Sequence, residues 1–143
     1  MEKKFTLVWS LLFTCLISFA AAPTVPSSNM EYVTIEGDKL TFRFTKGDGQ
    51  FRMVVLKEGA AIGTLPVNGT DYFASPAFGL PASAFNNNDG FVVYKSANAA
   101  QLITVPVTNL RPGTTYHINV FEFNGSGTAT QYQMVALTGS TTS

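Results

Sequence analysis

The stretch Leu110-Arg111-Pro112-Gly113-Thr114-Thr115-Tyr116 joins a Pro-Gly turn to the first residue of a long strand. A tyrosine in that place fits a tyrosine corner. Its hydroxyl bonds a backbone group a few residues upstream and ties the crossover between two packed sheets. Such a bond contributes about 1 kcal/mol net. The strand it opens, Tyr116 to Phe123, alternates: Tyr116, Ile118 and Val120 form one row, His117 and Asn119 the other. Phe121 and Phe123 continue the second row, so the strand ends apolar on a face that an ordinary sandwich sheet leaves to solvent.

Working outward, Leu40, Phe42 and Phe44 alternate with Lys39, Thr41, Arg43 and Thr45, which predicts a half-buried strand over Lys39–Thr45. Gly47-Asp48-Gly49 marks a turn. Phe51–Lys57 is the next strand and is apolar on both faces, with Met53 and Val55 on one and Val54 and Leu56 on the other. Further strands are expected at Thr70–Ala74, Phe91–Lys95, Gln101–Val107 and Gln131–Leu137. Pro106 places the Gln101–Val107 strand at a sheet edge or puts the strand's end there. Between Glu58 and Gly90 the pattern is irregular: Asn68-Gly69 is a tight-turn pair, and Pro76, Gly79 and Pro81 break the second half of the segment. Short strands with frequent turns and no helical period argue for a sandwich or barrel.

The corner segment with Tyr116-His117-Ile118-Asn119-Val120-Phe121-Glu122-Phe123-Asn124-Gly125 resembles the second half of a fibronectin type III domain. It is similar to the divergent form found in secreted Bacteroidetes proteins. Gly49 to Gly59, Thr64-Leu65-Pro66-Val67-Asn68-Gly69-Thr70-Asp71-Tyr72 and Phe91-Val92-Val93-Tyr94 add to the likeness, which spans about Pro23 to Ser140. Phe44 stands where the family usually has a core tryptophan, and the Glu58–Gly90 segment is longer than in ordinary members. The resemblance implies an all-β, antiparallel immunoglobulin-like sandwich of seven strands with an insertion at about 58–90. It also implies a non-enzymatic binding, adhesion or spacer role.

The 143-residue chain has room for one domain. Lys3 and Lys4, an apolar run from Phe5 to Phe19, and Ala20, Ala21 and Ala22 stand in the order of a secretory signal. The run is short for a membrane span. Cleavage after Ala22 would place Pro23, with its fixed φ and missing N–H, just past the bond. Cleavage after Ala20 is therefore expected, giving a signal over 1–20, a single domain over 21–143, and a secreted or cell-surface protein with no membrane span in the mature chain. Cys15 is the one cysteine and falls within the signal, so the mature domain has no disulfide and must rest on its core. Bulky Leu12-Phe13 before it disfavours lipidation. The chain carries nine Lys+Arg and nine Asp+Glu, and Glu2, Lys3 and Lys4 leave with the signal. A nearly neutral domain without a basic stripe argues against a nucleic-acid partner.

No catalytic constellation is legible. His117, the single histidine, points outward by alternation with no nucleophile or orienting carboxylate supplied by a motif. No cofactor loop or paired metal ligands are present. Asn86-Asn87-Asn88-Asp89-Gly90 lacks the spaced acids and closing glutamate of a calcium loop and is expected to be a turn. Asn68-Gly69-Thr70 and Asn124-Gly125-Ser126 match the glycosylation sequon but are also ordinary turn chemistry. The decisive question concerns the second apolar face. Either the Glu58–Gly90 segment covers Phe121 and Phe123 with Tyr72, Phe73, Phe78 and Phe85, or these six residues form an interaction surface. The partner expected is an extracellular protein or glycan. The alternative is a structural subunit that self-associates by strand addition.

Overall fold

The computed structural model describes Lys3 and residues 19–143. The expected signal, apart from Lys3, Phe19 and Ala20, lies outside the described residues, and so does Cys15. Among the described residues eight strands occur in order: β1 Ser28–Glu36, β2 Lys39–Thr45, β3 Phe51–Glu58, β4 Phe91–Ser96, β5 Leu102–Val107, β6 Thr115–Asn124, β7 Gln131–Tyr132 and β8 Leu137–Thr142. They form two antiparallel sheets, one ordered β1-β2-β5 and one β4-β3-β6 with β7 and β8 both on the far side of β6. The protein is an all-β sandwich.

The inner core lies where the two sheets face each other. Leu40, Phe42 and Phe44 from β2 and Ile103, Val105 and Val107 from β5 meet Val54 and Leu56 from β3 and Tyr116, Ile118 and Val120 from β6. These are the rows that period-two alternation selects, and full burial of each such side chain contributes about 1.5–3 kcal/mol. The Tyr116 hydroxyl accepts the Arg111 amide at 2.9 Å, so the tyrosine corner forms as the sequence predicts. β5 is an edge strand, which accommodates Pro106.

Three elements differ from the sequence reading. β1 has no buried residue, and its register shifts twice against β2, so alternation gives it no signature. The expected strand over Gln131–Leu137 survives only as the two-residue β7 and the first residue of β8, which runs on to Thr142, beyond the expected bound. β7 and β8 pair with opposite ends of β6, and Met134 and Val135 bulge out between them. Thr70–Ala74 is not a strand, because it crosses the outside of a sheet instead of lying along an edge where a ladder is available.

The chain from 59 to 90 leaves β3, crosses the outer face of the larger sheet and returns to β4. On its way it wraps the sandwich's side. The Ser75 amide donates to the Val92 carbonyl, the Thr108 amide to the Pro76 carbonyl and the Phe78 amide to the Thr108 carbonyl. The segment thus ties the edge of β4 to the end of β5.

Candidate functional site

The outer face of the β4-β3-β6-β8 sheet divides into two halves. Met53, Val55, Val92, Phe121 and Phe123 make one half apolar, and the insertion covers it with Tyr72 and Phe85, joined by Tyr132 from β7. Phe85 lies parallel to Phe121 at 6.4 Å and meets Tyr72 at 5.1 Å, while Tyr132 meets Phe123 at 5.1 Å. The Tyr72 hydroxyl accepts the Val67 amide at 3.1 Å and donates to Asn86 Oδ1 at 2.6 Å, so its polar end is satisfied at the cover's rim. The Tyr132 hydroxyl donates to the Thr70 carbonyl at 2.8 Å, and burial, then the neighbouring Tyr72 and Asp71, push its ionisation above the ordinary tyrosine value.

This geometry corrects the candidate surface read from the sequence. Phe121 is 0% exposed, Phe123 4% and Phe85 0%, and Tyr72 is also buried, so none of the four is free to meet a partner. Phe78 does not join the cover. The chain turns over the sheet edge at residues 75–78 and inserts Phe78 into the inner core, edge-on to Phe91 and Tyr116 at 5.1 Å each. Phe73, next to Tyr72, lies on the outer side of the cover and stays 59% exposed. Of the six, only Phe73 is on the surface.

The other half of the same face is open and polar. His117 and Asn119 on β6 stand opposite Ser140 and Thr138 on β8. With Ala61 and Ile62 from the start of the insertion they line a groove of about 340 Å³. His117 and Asn119 are half-buried, and Thr138 and Ser140 are exposed. Between the last two, Gly139 faces inward, where a Cβ would lie 2.5 Å from Met30 Sδ and 2.7 Å from the Tyr32 hydroxyl. Its bareness lets β1 pass close beneath β8, and Tyr32 donates to the Ser140 carbonyl at 2.9 Å.

One node fixes the groove's wall. Asp89 Oδ2 accepts the Gly63 amide at 2.9 Å, the Thr64 amide at 2.7 Å and the Thr64 hydroxyl at 2.8 Å. Its Oδ1 accepts Lys57 Nζ at 2.5 Å, and Lys57 also donates to the Ala61 carbonyl. Partial burial pushes the Asp89 carboxyl up. The Lys57 ammonium, the Thr64 hydroxyl and the two amides outweigh it and hold the carboxyl below the usual range. Asp89 is aimed there by the preceding turn, in which Asn86, Asn87 and Asn88 all take positive φ, a conformation asparagine tolerates better than most residues. Lys57 pairs in register with His117 on the next strand, yet its charge is turned away from the groove toward Asp89.

At the far end of the inner core, Arg52 and Glu122 face each other in register, both fully buried. Glu122 Oε1 also accepts the Ser27 hydroxyl at 2.5 Å and the Gly47 amide at 2.8 Å. Arg52 donates to the Gly49 carbonyl at 2.8 Å and to the Asn98 carbonyl. Around this pair the segment ahead of β1, residues 21–27 and here called the leader, crosses the sandwich's end. Asp48 accepts the Thr24 and Val25 amides at 3.0 and 2.9 Å, and the Asn124 side chain donates to the Ala21 carbonyl at 2.7 Å. Gly47 must be glycine here, since a Cβ would fall 2.1 Å from the Val25 carbonyl oxygen. No sequence motif marks this pair, although alternation carries a signal for it: Arg52 shares a row with Val54 and Leu56, and Glu122 a row with Ile118 and Val120.

Among the described residues no cluster of three or more His, Cys, Asp and Glu side chains is placed to hold a metal ion, and no helix is long and apolar enough to cross a membrane. A scan against protein-family models finds no match for this chain, and a search of curated proteins finds none either.

Proposed function

We propose that this chain is an exported, non-catalytic binding module of fibronectin type III-like build, and that its recognition site is the open groove lined by His117, Asn119, Thr138, Ser140, Ala61 and Ile62. The observation that carries this reading is the division of the outer sheet face. The insertion buries its apolar half and stops short of the polar half, leaving a concave site of a size ligands use. The strand order β1-β2-β5 against β4-β3-β6-β8, with the tyrosine corner, supports the family resemblance.

Three of the sheet edges favour binding over assembly by strand addition, and β8, paired with β6 alone, keeps an uncovered edge. β5 carries Pro106, β4 is crossed by the insertion at Phe91 and Val92, and β1 is bulged twice. These are devices that blunt an edge. The test is retention of the secreted protein on immobilised extracellular material, scored beside Asn119→Ala and Phe73→Ser. The reading expects loss with the first and none with the second. Equal retention of all three proteins, or no retention of the wild type, overturns it. N-terminal sequencing of the same secreted protein is expected to begin at Ala21, and a start at Met1 or Lys3 removes the export part.

A further inference from the structure

We infer that the groove takes an uncharged, polyhydroxylated ligand, the neutral glycan class, read by side chains alone; this rests on the groove being the recognition site. The backbone comes first. β6 is paired on both sides, with β3 along one and β8 along the other. Its amides and carbonyls are spent in ladders, so an extended peptide cannot add to it as a strand. A ligand seated on the face between β6 and β8 is therefore recognised by the side chains standing there, and strand addition has only β8's outer edge to use.

Those side chains are an imidazole, an amide and two hydroxyls. His117 opposes Ser140 and Asn119 opposes Thr138, giving a two-by-two array. Its spacing is roughly 5 Å across the strands and about 7 Å along them. None of the four side chains is engaged in a hydrogen bond with another of the described residues, unlike the asparagines at 68, 86 and 124, which are all committed. Amide and hydroxyl groups each donate and accept, as sugar hydroxyls do. The array therefore complements a ring bearing several hydroxyls at this spacing. Ile62 and Ala61 supply an apolar wall on one side, suited to the C–H face of such a ring.

Charge sets the class further. Among the described residues no Lys, Arg, Asp or Glu lines the groove. Lys57, the nearest cation by register, is neutralised by Asp89. An anionic ligand such as a phosphorylated, sulfated or uronic sugar finds no permanent cation there, only the His117 imidazole, and a cationic one finds no carboxylate.

The experiment is a glycan array of neutral and acidic members probed with protein expressed from the full chain, then titration of the strongest neutral hit. Asn119→Ala and Thr138→Ala are compared with wild type, with thermal melts as the folding control. The expected result is binding confined to neutral glycans, weakened roughly tenfold by Asn119→Ala at unchanged melting temperature. Binding confined to acidic glycans overturns the inference, and so does glycan binding indifferent to both substitutions. A silent array beside Asn119-dependent retention of a protein partner also overturns it, while leaving the groove as the recognition site.

Discussion

Arg52 and Glu122 oppose each other across β3 and β6 inside the core, with Nη2 and Oε2 3.4 Å apart, and every remaining partner of the two side chains comes from a loop or from the leader. The pair is a plug for one end of the sandwich more than a strong ion pair. It gathers the turn after β2 through Gly47 and Gly49, the turn after β4 through Asn98, and the leader through Ser27. Removing one charge strands the other in a low dielectric. Glu122→Ala is expected to cost about 3–5 kcal/mol in urea unfolding. Buried pairs can often be replaced by apolar residues without loss, but here Arg52→Met with Glu122→Leu is expected to remain destabilised by roughly 1–3 kcal/mol, because the Gly47 amide and Gly49 carbonyl lose their partners. A double variant as stable as wild type would falsify the plug.

The tyrosine corner gives a cleaner measurement. Tyr116→Phe keeps the ring, its edge-on contact with Phe78 and the core volume, and removes only the acceptor of the Arg111 amide. Unfolding free energy is expected to fall by about 0.5–1.5 kcal/mol with an unchanged denaturant slope. A change in slope would mean that the hydroxyl also shapes the native or unfolded ensemble.

The insertion's aromatics separate by role. Phe85 fills the space over Phe121, so Phe85→Ala is expected to cost about 3–5 kcal/mol. Phe73 touches the solvent side of the same cover, and Phe73→Ala is expected to stay within about 0.5 kcal/mol of wild type. Thermal or urea unfolding of the two variants side by side checks the assignment. Equal effects would remove it.

How far the sequence carries depends on whether a residue's neighbours lie on its own strand. Lys39–Thr45 is legible to the residue because its side chains alternate strictly, and Tyr116 because a turn and a strand start suffice to place it. That Met53, Val55, Phe121 and Phe123 need covering is also legible. Which aromatics cover them is not: Phe78 and Phe73 differ in fate because the chain turns a sheet edge between residues 75 and 78, and nothing local encodes which way each ring then points. β1 escapes because its bulges erase the period. The groove escapes for a related reason. His117 and Asn119 read as ordinary solvent-facing residues, and only the pairing with β8 and the path of residues 61–62 make them walls of one cavity.

Asp89 makes the groove's wall sensitive to acid, and the sign comes from its environment. Its carboxyl is held below the usual range in the folded protein, chiefly by Lys57 and Thr64 against the opposing effect of burial. In the unfolded chain it titrates near the ordinary aspartate value of about 3.9. A depressed folded value means the stabilisation is fully present above the unfolded value and is lost as pH falls through the folded one. Wild-type protein is therefore expected to lose stability from about pH 4 downward. Asp89→Asn, which keeps the shape but surrenders the Lys57 pair, is expected to be less stable at pH 7 and to show a shallower acid limb. The local readout is amide exchange. Gly63 and Thr64, whose amides donate to Asp89, are expected to exchange faster in the variant at neutral pH, while the Val120 amide in the centre of β6 stays protected. Unchanged exchange at Gly63 and Thr64 would show that the wall holds its place without this carboxylate.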